Sequence, residues 1–224
     1  MKLFRCFLVV NMFFATCFGA SSMATESRPI NYGVKGGLGM STYSGPDVDD
    51  GVLAWRIAYG VGVFIDVPIT STIDVQVESL YVQKGATREQ TALTDTIDMS
   101  ATYIEFPILA RLRFGNNKQV QPRILAGLSL ALLMDVEATT GGEKEDITKE
   151  FSGVDAGLVF GGGLDFKTEG SSLIKIDIRY TLGLSTVDDK KNDDIYNRTV
   201  LLTLAYAFIS QPPKPRRKRR ESWR

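Results

Sequence analysis

The sequence predicts an all-β protein: an eight-stranded antiparallel up-and-down transmembrane β-barrel with short periplasmic turns and long extracellular loops. Three observations carry this reading. Apolar residues return at every second position in about eight separate runs, the period of a β-strand. Charged residues and glycines hold the opposite parity in the same runs. The connections alternate between short turns and longer acidic segments, the layout of an outer-membrane barrel.

The runs follow in order. Tyr32 to Met40 puts Tyr32, Val34, Leu38 and Met40 on one face, with Lys35 among glycines on the other. In Leu53 to Asp66, Trp55, Ile57, Tyr59, Val61, Val63 and Ile65 alternate against Arg56, Gly60, Gly62 and Asp66. In Ile73 to Lys84, Val75, Val77 and Tyr81 oppose Asp74, Gln76, Glu78 and Lys84. Thr102 to Phe114 sets Ile104, Phe106, Ile108, Leu112 and Phe114 against Tyr103, Glu105, Arg111 and Arg113. Pro122 to Met134 is less regular, with Ile124, Leu128, Leu130 and Leu132 against Arg123, Gly127, Ser129 and Ala131. Val154 to Phe166 opposes Leu158, Phe160, Leu164 and Phe166 to Asp155, Gly157, Gly161, Gly163 and Asp165. Leu173 to Leu184 carries Ile174, Ile176, Ile178, Tyr180 and Leu182 against Lys175, Asp177 and Arg179. Thr199 to Phe208 closes the set with Val200, Leu202, Leu204, Tyr206 and Phe208 on one face.

Pro68 to Thr72, Gly115 to Gln119 and Thr168 to Ser171 read as short turns. The Asp47 to Asp50 region, Thr87 to Met99, Val136 to Gly153 and Val187 to Arg198 read as long loops.

Two barrels fit such strands. A soluble lipocalin-like barrel would turn the apolar face inward around a ligand. Its many glycines would then weaken strands on a wet exterior. A membrane barrel turns the apolar face out to lipid and the charges into a lumen that eight strands leave only wide enough for side chains. Glycines then make room for Arg and Lys, and balanced charges pair. Two sets of aromatic residues fit interfacial girdles, with Tyr32, Phe114, Phe166 and Phe208 at the turn end and Trp55, Tyr81, Tyr103 and Tyr180 nearer the loops. The membrane arrangement is the better fit. The lumen network it implies comprises Lys35, Arg56, Glu78, Lys84, Glu105, Arg111, Arg113, Asp177 and Arg179. These residues read as a paired, structural ladder rather than a transport path.

Residues 1–24 read as a secretory signal peptide: Lys2 and Arg5, an apolar run from Phe7 to Phe18, then a cleavage site after Ala24, with Ala20 the alternative. A membrane anchor and a lipoprotein modified at Cys17 fit less well. Both cysteines, Cys6 and Cys17, fall inside this segment, so the mature chain has no disulfide or thiol chemistry. Histidine is absent, which removes Ser-His-Asp catalysis and the commonest zinc ligands. No cofactor and no metal site is expected. A net charge of zero argues against nucleic-acid binding.

The stretches YGVKGGLGMSTYSG, VESLYVQKGA at 77–86, YIEFPILARLRFG at 103–115, PRILAGLSLALL at 122–133 and IDIRYTLGLS followed by NRTVLLTLAYAF resemble the PorT-like, "porin family" outer-membrane β-barrel domain of Bacteroidetes. The resemblance covers about residues 30 to 208 and implies an outer-membrane location. It does not transfer the secretion role of the family's namesake branch on fold alone. Despite the porin label, the strand count predicts no open diffusion pore. Outer-membrane barrel enzymes depend on histidine, so no enzymatic activity is expected.

Two segments remain. The acidic groups Asp188, Asp189, Asp193 and Asp194, and Glu143, Glu145 and Asp146, offer hard oxygen ligands for calcium, but their spacing does not match an EF-hand and they read as solvated loops. Residues 25–210 form the barrel. Residues 211–224 form a basic, disordered periplasmic tail in which Arg216, Arg217, Lys218, Arg219 and Arg220 are candidate contacts for anionic lipid or an acidic periplasmic partner. The expected protein is a monomer in outer-membrane lipid with a structural, surface-contact or assembly role. An accessory part in protein secretion and a soluble periplasmic binder of an apolar ligand are the alternatives.

Overall fold

The computed structural model describes residues 28–46, 53–88, 96–115, 119–168, 172–187 and 194–210. The signal segment 1–24, the tail 211–224 with Arg216, Arg217, Lys218, Arg219 and Arg220, and the loop acids Asp47, Asp49, Asp50, Asp188, Asp189 and Asp193 lie outside the described residues.

The strands are β1 (Asn31–Ser44), β2 (Leu53–Pro68), β3 (Ile73–Arg88), β4 (Ile97–Arg113), β5 (Val120–Thr140), β6 (Glu143–Asp146), β7 (Val154–Lys167), β8 (Ser172–Gly183) and β9 (Tyr196–Ile209). Each long strand pairs antiparallel with its sequence neighbour, β5 pairs with β7, and β1 pairs with β9, so eight strands close into a ring. Closure leaves no bare sheet edge in the ring, which is what a hydrocarbon environment demands of backbone N–H and C=O groups. The strand β6 stands apart as a short hairpin partner of β5, with Glu137 opposite Asp146 and Thr140 opposite Glu143.

Parity decides the faces. In β1, Val34, Leu38 and Met40 are exposed while Lys35, Ser41 and Tyr43 are buried. In β8, Ile174, Ile176 and Ile178 are exposed while Lys175, Asp177 and Arg179 are buried. Leu202, Leu204, Tyr206 and Phe208 continue the outer belt on β9, against Thr199, Thr203, Ala205 and Ala207 inside. The barrel is therefore inverted relative to a water-soluble one. The lipocalin-like alternative fails here, because its ligand-lining apolar face is the outer surface.

The strands run further than the alternation suggested. Val136 to Gly153 is not one loop: β5 continues to Thr140, turns through Gly141 and Gly142, returns as β6, and passes a single 3-10 turn at Thr148–Glu150. Likewise β3 reaches Arg88 and β4 starts at Ile97, so both ends of the loop placed at Thr87 to Met99 are ladder. Beyond the belt both faces meet water or loops, so the period-two signal fades while the backbone pairing persists.

One further placement differs from the sequence reading. Tyr103 does not join the outer aromatic girdle; its odd parity on β4 turns it into the barrel, 1% exposed, where the Lys84 ammonium lies 5.5 Å from its ring centre. Gly162 faces outward between the inward-facing Gly161 and Gly163, because neighbours along a strand must point to opposite faces. At the turn end the outer rings of Tyr32 and Phe208 lie 5.8 Å apart and those of Tyr206 and Phe208 5.0 Å apart.

Candidate functional site

The chemistry of the molecule is concentrated in the lumen. Lys35 from β1 reaches across to Glu78 on β3 at 2.6 Å and to Asp177 on β8 at 3.3 Å. Glu78 also takes Arg179 of β8 at 2.8 Å. Arg111 of β4 holds Asp177 at 2.9 Å and Asp165 of β7 at 3.2 Å, and donates to the amide oxygen of Gln76 at 2.5 Å. Asp165 in turn meets Arg123 Nε at 2.6 Å, and Arg123 passes on to Asp74, which Arg28 also holds at 2.6 Å.

These contacts join into one alternating chain: Arg28, Asp74, Arg123, Asp165, Arg111, Asp177, Lys35, Glu78, Arg179. Every interior member touches two groups of opposite sign. A charge moved out of water costs several kcal/mol unless its lone pairs and protons are met, roughly the demand such sharing answers. Separate pairs lie beside the chain: Lys175 with Asp66, and Lys84 with Glu105 at 2.8 Å, whose other partner is the Ser129 hydroxyl at 2.6 Å.

The residues singled out in the sequence are thus distributed in four places. Lys35, Glu78, Arg111, Asp177 and Arg179 form the middle of the chain. Lys84 and Glu105 form their own pair nearer the loop end. Arg113 and Arg56 mark the two ends: Arg113 meets Asp74 at 3.2 Å at the turn end, and Arg56 meets Asp98 at 2.7 Å at the loop end, both partly exposed. Sequence reasoning left Asp66, Asp74, Arg123, Asp165 and Lys175 out of the network although all are buried in it. The sequence reading sets all five on the lumen face by parity without counting them in the network.

Glycine makes the packing feasible. A Cβ at Gly163 would stand 2.1 Å from the Asp177 Oδ1 atom that Arg111 holds, so the carboxylate occupies the space of a missing side chain. An apolar patch of Leu109, Leu125 and Val159 fills one wall beside the charges. Toward the loops, Asp155 accepts from Asn197 at 2.7 Å and from Ser185 at 3.0 Å.

A profile of the family described as outer membrane protein beta-barrel domain matches residues 20–189. The chain belongs to this family. It is an outer-membrane protein by that membership. No curated protein matches the sequence significantly. Among solved structures the chain is similar to Neisserial surface protein A, with 15% identity and a TM-score of 0.49 over 79% of this chain and 96% of that one. It is also similar to OprG from Pseudomonas aeruginosa, with 12% identity and a TM-score of 0.48 over 83% and 98%. The attachment invasion locus protein Ail of Yersinia pestis gives 17% identity and a TM-score of 0.41 over 81% and 100%.

In this outer membrane protein beta-barrel domain the lumen chain ties β1, β3, β4, β5, β7 and β8 together across the interior rather than along the wall. Among the described residues no group of three or more His, Cys, Asp or Glu is arranged to hold a metal ion. Outside the belt the β5–β6 hairpin is acidic. Burial first, then the charges of Glu137 and Asp146, raise the Asp135 carboxyl above its ordinary range. Asp146 is lowered by hydrogen bonds from Thr148, and the hydrogen bond and charge of Glu137 raise the Lys144 ammonium.

Proposed function

We propose that this chain is a non-enzymatic outer-membrane barrel, monomeric in lipid, with a structural, surface-contact or assembly role and a lumen filled by ion pairs. The observation that carries the reading is the alternating chain from Arg28 to Arg179, which spends the charged groups of the interior on each other. Planar-bilayer recording of the full chain tests it. The expected trace has no unit conductance steps, while unboiled protein from the same preparation runs as a folded, heat-modifiable band. Steps that grow with salt concentration would replace the filled lumen with a pore.

A second reading, an accessory part in protein secretion of the PorT-like kind, is favoured by the position of Ser210. Ser210 N–H donates to the Ile30 carbonyl at 2.8 Å at the turn end, and the basic residues 211–224 follow from there. Such a tail suits an acidic periplasmic partner or the anionic inner surface of the membrane. In-cell crosslinking with and without residues 211–224 tests it: a partner captured only by the full chain supports it, and identical crosslink patterns sink it.

A further inference from the structure

At the turn end the barrel opens into a basin of about 710 Å³. Its wall carries Arg28, Arg113, Arg123 and Lys167 against Asp165, with the hydroxyls of Ser71 and Thr72 and the amide of Gln121 on the rim. The acids that face the basin among the described residues are already committed. Asp74 answers three guanidinium groups at once, those of Arg28, Arg113 and Arg123. Asp165 is shared by Arg123 and Arg111. Among the described residues, positive charge is therefore left over in the basin. The Nε–H groups of Arg28 and Arg113 are buried and have no acceptor among the described residues. A buried donor without an acceptor is costly, and an arginine donor is met best by an oxyanion, which takes parallel N–H bonds from the guanidinium fork.

We propose that this basin is a binding site for a phosphate group carried on an organic substituent. Arg28 and Arg113 are its direct donors and Arg123 and Lys167 supply field. The volume far exceeds that of a bare phosphate ion and falls in the range of small-molecule sites, so the ligand fills the basin with its substituent. The basin lies level with the membrane surface: Asn31 and Ile209 line it, while the next residues along those strands, Tyr32 and Phe208, form the outer aromatic pair. Two sources share the chemistry: a phospholipid headgroup of the inner leaflet, and a soluble phosphate ester of the periplasm. The site stands whether or not the lumen conducts.

The test uses the full chain. In micelles of a phosphate-free detergent, glycerol 3-phosphate is titrated while the arginine Nε–H resonances are followed by NMR. In nanodiscs of phosphatidylcholine with phosphatidylglycerol, lipid retained by the released protein is counted by native mass spectrometry. Saturable shifts in the first arm assign a soluble ester, and retained phosphatidylglycerol in the second assigns a headgroup. Arg113→Gln and Arg28→Gln, checked for folding by the heat shift, are each expected to weaken binding about tenfold or more, the scale of losing a charged hydrogen bond. Lys144→Gln at the other end of the molecule is expected to change nothing. Wild-type protein that shows neither saturable shifts nor retained phospholipid overturns the proposal, as does undiminished binding by both folded arginine variants.

Discussion

Asp177 shows how tightly single residues depend on one another in this interior. Its two carboxylate oxygens meet Arg111 and Lys35, and it fits only because Gly163 on the adjacent strand has no side chain. Gly163→Val is expected to push the carboxylate off both cations and to lower the urea midpoint of the refolded barrel, read by the fraction of heat-modifiable band. Arg111→Ala removes one of the two cations that each of Asp165 and Asp177 meets; breaking buried pairs of this kind costs about 3–5 kcal/mol. An equilibrium unfolding midpoint unchanged by that substitution would mean that the chain contributes no cohesion. The alternation in LIKIDIRYTLGL already separates Asp177 from its apolar neighbours. The partners were not legible, because Arg111 lies 66 residues away and the tilt of strands in a closed barrel, not sequence spacing, decides which heights meet.

Among the elements, β5 is the longest and the least regular in pattern, and the two facts have one cause. Its lower part belongs to the belt, with Ile124, Leu128, Leu130 and Leu132 exposed, and there the period was readable. Its upper part, from Asp135 to Thr140, rises past the belt to pair with β4 and β6, where no apolar face is required. That extension titrates in a defined order. Asp135, with its pKa raised, loses its charge first as pH falls, which relieves repulsion with Glu137 and Asp146 and makes the hairpin more stable. Asp146, with its pKa lowered, supports the turn above its ordinary range and gives up that support only at still lower pH, when Thr148 loses its acceptor. Protection factors of the amides across residues 135–150, that is, exchange corrected for its intrinsic pH dependence, are therefore expected to rise on mild acidification and to fall again on stronger acidification; a monotonic response would contradict this order. Pro107 marks another departure inside β4: with no N–H to give, it coincides with a gap in the β3 ladder between the Val77–Ile108 and Leu80–Glu105 pairs.

For the molecule as a whole, the fold was legible because one physical fact governs every strand: lipid outside, charge inside. Leu204 stands in the middle of the belt, 59% exposed. Leu204→Arg is expected to cost about 2–4 kcal/mol in folding into liposomes, the penalty for a cation at the midplane, against little effect near the belt's edge. Equal effects at the two depths would argue that this face does not meet hydrocarbon. The girdle was legible only in part. Tyr206, Phe208 and Tyr32 cluster on the outside as their parity demands, whereas Tyr103 follows its parity inward.

The seam between the first and last strands has a consequence for biogenesis. Asn31 lies opposite Ile209 and Ser44 opposite Tyr196, so the first strand to be synthesised finds its second partner only in the last. Until Tyr196–Ile209 exists, β1 and β8 both carry bare backbone edges that hydrocarbon will not accept. A ring that closes only through β9 is expected to commit to the bilayer as a whole rather than strand by strand, and a chain without β9 is expected to be left open to proteolysis. A nonsense mutation anywhere before Tyr196 would then yield a degraded polypeptide and not a smaller barrel, so the shortest product found in the outer membrane would still contain β9.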